Sequence, residues 1–433
     1  MVKNKPVYSF EEANSENRML LGGKGAGLSE MTRLKLPVPP GFTITTEVCN
    51  KYYDNNRKLP KDVMPLVMKN ILKMEKKTGK KWNSTKNPLL VSVRSGAAIS
   101  MPGMMDTILN LGLNEKTVEG FAQQTKNPRF SWDSYRRFIQ LFGKVVFGVN
   151  DEKFDHVLNS AKNKQGVTDD SKLNVESLKK IVSEYKKICE KHTKRKFPDS
   201  PNEQLGLAIE AVFKSWMGER AVVYREKNGI TKNIANGTAV NVVTMVFGNM
   251  GDDSATGVVF TRNGHNGKRE IEGEYLINAQ GEDVVAGVRT GKNVDLLKKE
   301  MPKSHKELSN ACAKLEKHFR EPQDIEFTIE QGKFYLLQTR TAKMSAGALV
   351  KTSVDMVKEK LIDKNKALTR IPAQQLEALL HRTMDESKIK EHRKLAKGIA
   401  ASPGAASGIA IFDVKKAIEL GESGKKVILV RKE

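Results

Sequence analysis

Two rhythms of apolar positions divide this chain. In LLVSVRS the apolar residues alternate: Leu89, Val91 and Val93 fall on one side, Ser92 and Arg94 on the other, which predicts a strand. FTITT, AVNVVTMVFG, GVVFTR, GEYLINA, DIEFTI and FYLLQTR read as further strands. In SWDSYRRFIQLFGKVVFG the spacing is three and four, the signature of an amphipathic helix, with Gly143 and Gly148 marking its end. A mixed stretch therefore spans 1–113, and a mostly helical one follows over 114–236. Strands return over 237–343, interrupted by an amphipathic helix around Leu296–His318. Residues 344–397, rich in Lys, Glu and Leu, read as a helical linker. The last piece, 398–433, opens with GIAASPGAASGIAIF and holds the strand VILVR. Separate runs of strands and helices predict an α+β fold. The final piece is too short to bury a core by itself.

Composition changes this picture little. A length of 433 residues suggests two or three domains. Lys and Arg exceed Asp and Glu by 74 − 51 = 23. The excess sits on helical stretches such as EYKKICEKHTKRKF, with no aromatic-interleaved ribbon or RNA-binding fingerprint. It reads as solvated helix faces that also gather anionic substrates, not as a nucleic-acid surface. No apolar run of about 18 residues predicts a membrane span. MVKNKPVYSFEEANSENRML is no secretory signal. Cys49, Cys189 and Cys312 are far apart and form no CxxC, which fits a reducing cytoplasm.

Four segments carry candidate chemistry. GGKGAGLSEM sets three glycines around Lys24 before a helix, so backbone amides and an ammonium can approach phosphate. The spacing is not that of a Walker A loop. Arg94 ends a strand and precedes the flexible SGAA turn, where a guanidinium can grip phosphate through paired N–H groups. In DIEFTIEQGKFYLLQTR, Asp324, Glu326 and Thr328 share one strand face, a pattern suited to Mg²⁺ bridging nucleotide phosphates. Gln338 and Arg340 share a face of the partner strand. A three-residue loop with Gly332 in the left-handed position would join the two sets, and that loop is expected; a two-residue turn would separate them. Finally, Gly251 to Gly257 read as a small polar loop with Ser254 and Thr256 as phosphate donors. Each segment alone also fits an ordinary turn, strand end or hairpin. None of the seven histidines sits at metal-ligand spacing.

Taken in order, GGKGAGLSEM, VSVRSGAAISMPGMMDTILNLGLN, SWDSYRRFIQLFG, TAVNVVTMVFGNMG, GEYLINAQGEDVVAGVRT, PQDIEFTIEQGKFYLLQTR and GIAASPGAASG closely resemble the pyruvate, phosphate dikinase family over essentially the whole chain. The MPGMMDTILNLG stretch is closer to that family than to the water dikinases of the same architecture. The resemblance implies an ATP-grasp nucleotide-binding domain with a helical insertion, a helical linker, and the start of a swivelling phosphohistidine domain. It implies a phosphotransferase using ATP, phosphate, pyruvate and Mg²⁺, with a homodimer possible for the longer enzyme. By motif, Lys24 and Arg94 would hold ATP phosphates, joined by Arg137. Asp324 and Glu326 would bind the metal. Gln338, Arg340, Thr256 and Glu282 would line the pocket. Ala255 stands where the family is expected to carry glycine. The family's phosphorylated histidine follows the strand that here reads VILVR, so the carrier and the pyruvate barrel are expected beyond Glu433 and this chain is not expected to complete the reaction alone. The alternatives are a water dikinase or a non-catalytic nucleotide- or nucleic-acid-binding protein.

Overall fold

In the computed structural model, residues 4–14, 16–101, 103–281, 283, 290–380 and 406–431 are described. The chain forms two compact units, one of residues 1–254 with 328–339, the other of residues 255–327 with 340–433. Helices and antiparallel sheets are both abundant, as an α+β reading requires.

The first unit is built on a five-stranded antiparallel sheet. Its strands are β1 (Val7–Ser9), β2 (Gly41–Ile44), β3 (Val91–Ala97), β4 (Thr107–Leu111) and β5 (Thr238–Thr244), in the order β1-β2-β5-β3-β4. The central β5 is buried along its whole length, with Ala239, Val240, Val242 and Val243 in the core and Thr238, Asn241 and Thr244 as buried polar residues. Register sets Thr43 opposite Asn241, and Asn241 opposite Arg94, so three strands contribute one lateral row of polar side chains. Helix α1 (Arg18–Arg33) packs on β3 and β5.

Helices α2 (Thr46–Asp54), α3 (Val63–Thr78), α4 (Glu115–Thr125), α5 (Pro128–Val145), α6 (Asp151–Gln165), α7 (Val175–Thr193), α8 (Pro201–Ser215) and α9 (Glu219–Lys227) complete this unit. α4 starts at a capping box between Asn114 and Thr117. α5 starts at Pro128, capped by the Asn127 side chain. Its Tyr135, Phe138, Ile139 and Phe142 are fully buried, each contributing roughly 1.5–3 kcal/mol by leaving water. They join one continuous core with Val91, Val93, Val240 and Val242 of the sheet.

The second sheet runs β10-β9-β6-β7-β8, with β6 (Ala255–Phe260), β7 (Glu272–Ile277), β8 (Lys292–Asn293), β9 (Gln323–Glu330) and β10 (Lys333–Thr341). In the second unit Arg262, fully buried just after β6, donates to both oxygens of Glu316 at 3.1 and 2.8 Å and to both oxygens of Glu359 at 3.1 and 2.6 Å. Glu316 lies on the helix Pro302–Phe319 and Glu359 ends the helix Ala346–Lys358, so one guanidinium joins two helices to the end of a strand. Helices also occupy Lys364–Thr369 and Ala373–Leu380. Near the end of the chain a parallel pair, β11 (Ile409–Ile411) and β12 (Val427–Leu429), flanks the helix Val414–Glu422. The rest of the expected linker, and residues 398–405, lie outside the described residues.

Candidate functional site

Lys24 owes its position to a backbone that only glycine permits. The segment before it is already helical from Arg18, not only after the lysine as the glycine run suggests, but the helix breaks at Gly22, where φ is 69° and ψ 165°. That conformation is essentially restricted to glycine. Space imposes the same choice, since a Cβ on Gly22 would lie 1.8 Å from the carbonyl oxygen of Gly96. The helix therefore restarts beside the end of β3, with Lys24 in its first new turn. Gly22→Ala is expected to cost at least ~1–3 kcal/mol from the backbone conformation alone. Thermal denaturation of the variant checks this; an unchanged melting temperature would mean that the contact is not tight.

Arg94 projects from β3 on the same side as Ser92, as the alternation predicts, but it stands mid-strand and not at the strand end as expected: Ser95, Gly96 and Ala97 continue β3, held extended by pairing with Val240, Ala239 and Thr238 of β5. Lys24, Leu28, Ser92, Arg94, Asn241 and Leu337 all border one narrow cleft of the first unit, with Val243 to Val246 along its wall. Among the described residues no carboxylate lines it. The cleft offers two cations, three small polar residues (Ser92, Asn241 and Thr244) and an apolar side, a composition that suits a ligand with a phosphate end and a flat apolar end. Gln338, 8% exposed, follows Leu337 on β10 and belongs to the same unit. Arg137 does not border the cleft. It stands on α5, and its Nε donates to Asp133 Oδ2 at 3.3 Å, because a spacing of four brings the two together on the helix.

The second unit holds the carboxylate pair. Asp324 is buried, and its Oδ2 accepts from Arg340 Nε at 2.6 Å. Its Oδ1 is buried with no hydrogen-bond partner among the described residues. Burial lifts this carboxyl above the usual aspartate range, outweighing the opposing pull of Arg340. Glu326, two residues on, is half-buried. A buried carboxylate oxygen without a donor fits a cation. Among the described residues no group of three or more His, Cys, Asp or Glu could form an all-protein cage. Mg²⁺ ordinarily takes one or two carboxylates and completes its shell with phosphate and water. The donor set fits that arrangement.

The expected three-residue hairpin loop is corrected. Strands β9 and β10 leave only Gln331 and Gly332 between them, with φ of 48° and 73°, the tight turn with two left-handed residues. Gln331 accepts a conformation that asparagine or glycine usually takes, so the sequence gives no warning. The separation expected from a tight turn does not follow for Arg340, which still reaches Asp324. The amide of Ala342 donates to the carbonyl of Pro322 at 2.9 Å, a pairing one residue out of step with the one the turn would dictate, as a bulge in β10 produces.

Thr256 is likewise not a loop residue. It lies inside β6, buried, and its hydroxyl donates to the carbonyl of Phe327 at 3.1 Å. Ala255, in place of the expected glycine, begins that strand opposite Ile277. Glu282 lies outside the described residues. Sequence reasoning passed over Asn241. Its signal was present, a lone amide in the apolar run AVNVVT, since a polar residue in a fully buried strand needs a partner. The three cysteines are buried free thiols, pushed up to about 12 by burial, and are not reactive groups.

The family described as "Pyruvate phosphate dikinase, AMP/ATP-binding domain" matches residues 18–64, 55–306 and 291–361. A pyruvate, phosphate dikinase of Entamoeba histolytica is 52% identical over 429 residues, covering 99% of this chain and 48% of the relative. One from Clostridium symbiosum is 49% identical over 430 residues, covering 99% and 49%. The chloroplastic pyruvate, phosphate dikinase 1 of Arabidopsis thaliana is 45% identical over 436 residues, covering 100% and 45%. The chain spans about half the length of these curated relatives.

Proposed function

Because this chain belongs to the pyruvate phosphate dikinase AMP/ATP-binding domain family, we propose that it is the ATP-binding and phosphoryl-transfer half of a pyruvate, phosphate dikinase with an ATP-grasp architecture. The observation that carries this reading is the cleft bordered by both Lys24 and Arg94 and, among the described residues, by no carboxylate. The two cations offset the charge of the triphosphate, and Arg94 fixes its orientation through paired N–H groups. Phosphoryl transfer depends chiefly on such positioning and charge compensation. Asp324 and Glu326 would hold Mg²⁺, which when bound neutralises phosphate oxygens. Arg340, paired with Asp324, orients that carboxylate. Gln338, Arg137, Thr256 and Glu282 complete the assignment by family motif.

By this reading the whole enzyme, of which this chain would be about half, converts ATP, phosphate and pyruvate to AMP, pyrophosphate and phosphoenolpyruvate through a phosphohistidine, in the cytoplasm. Buried free thiols support a reducing compartment. In the described residues no helix is long and apolar enough to cross a membrane.

Titration calorimetry of this chain tests the proposal. Mg·ATP should give a saturable heat, and single-stranded DNA at two salt concentrations should give none. Tight, salt-steep DNA binding without an ATP heat would replace the proposal with a nucleic-acid-binding function.

A further inference from the structure

Asn241 occupies the centre of the first sheet and is fully buried. Its Oδ1 accepts the Thr43 hydroxyl at 2.8 Å, which fixes the amide plane. Its Nδ2 is buried with no hydrogen-bond partner among the described residues. A buried amide with one unused end destabilises a fold unless a ligand or water completes it. The surroundings are cleared for this side chain. A Cβ on Gly96 would lie 2.7 Å from Nδ2, and a Cβ on Gly25 would lie 2.9 Å from Oδ1. Asn241 is the register partner of Arg94 and borders the same cleft as Arg94 and Lys24.

We propose that Asn241 is a further binding residue of the cleft, its Nδ2 donating a hydrogen bond to a phosphate oxygen of the nucleotide held by Lys24 and Arg94. The inference rests on the reading of the cleft as a nucleotide site. Two charged groups attract the polyphosphate from outside the sheet. The neutral amide, set in the sheet floor by Thr43, adds a directional donor that cannot swing away. A carboxylate in its place would keep the Thr43 bond and the shape, but would set a negative oxygen against the phosphate.

The test compares Mg·ATP and adenosine binding to the parent chain and to Asn241→Asp, Asn241→Ala and Thr43→Val, with a melting curve for each. Asn241→Asp and Asn241→Ala should weaken Mg·ATP by roughly tenfold or more, the loss of a hydrogen bond to a charged group. Adenosine affinity should stay within about twofold. Thr43→Val should produce a smaller loss of the same kind. Parent-like Mg·ATP affinity in both Asn241 variants overturns the inference, as does an equal loss of ATP and adenosine, which marks a purely structural amide. If both Asn241 variants melt before measurement, Thr43→Val decides: unchanged Mg·ATP affinity overturns the inference. A parent chain that ignores Mg·ATP overturns the nucleotide reading itself, a different result from a parent that binds and variants that match it.

Discussion

Arg94→Ala is expected to weaken Mg·ATP binding by roughly ten- to a hundredfold, the value of one or two hydrogen bonds to a charged group, while the melting curve keeps its midpoint and steepness. Arg94 is half-buried at the cleft, and its register partner Asn241 holds the floor of the sheet. Val91, Val93 and Val242 belong to the buried core, of which Arg94 is not a member. Lys24→Ala should act in the same direction. Lysine is a point charge without the paired fork, so Arg94→Lys should recover only part of the affinity. Calorimetry together with differential scanning separates the outcomes. Lower affinity with an intact transition identifies a ligand-facing cation, whereas a broad or early transition with proportionate loss of binding would identify a scaffold residue.

Arg262→Ala should be the most destabilising single change in the second unit, by about 3–5 kcal/mol, the cost of leaving buried carboxylates without their partner. Four donated bonds end on Glu316 and Glu359, and neither glutamate is far into solvent, with side chains 8% and 22% exposed. The guanidinium is held above its ordinary basicity by these bonds, despite its burial. The penalty is electrostatic, so neutralising the survivors should return much of it. Arg262→Met with Glu316→Gln and Glu359→Gln should melt close to the parent chain, and well above Arg262→Ala. Circular dichroism of the three chains checks this. A triple variant as unstable as Arg262→Ala would mean that the arginine stem, through packing, carries the stability instead.

These cases show what could be read from the sequence. The placing of Lys24 near a helix start and of Arg94 on the Ser92 side of a strand was legible from local order. The buried face of α5 was legible for the same reason, through its spacing. The end of the Arg94 strand was not: Ser95 to Ala97 look like a turn and are held extended by pairing with β5, far along the chain. Asn241 was not, because its meaning depends on Thr43 and Arg94, which stand beside it only once β2, β5 and β3 are paired; Thr43 is 198 residues away in sequence. The hairpin failed for a subtler reason. Gln331 adopts a positive φ without a residue that advertises it, and the slip that restores Arg340 to Asp324 is a property of the ladder, not of either strand alone. Thr256 was misplaced because serine, threonine and glycine serve a strand end as readily as a loop.

The meeting of Gly22 with Gly96 has a mechanical corollary. Backbone lies directly on backbone there, and no side chain is interposed to deform or rotate. The lysine and the arginine are thereby mounted on abutting rigid parts, so their spacing is set at folding and does not await the arrival of an anion. At the nucleotide site proposed above, a polyphosphate would meet charges already in place, and little of its interaction would be spent on arranging them.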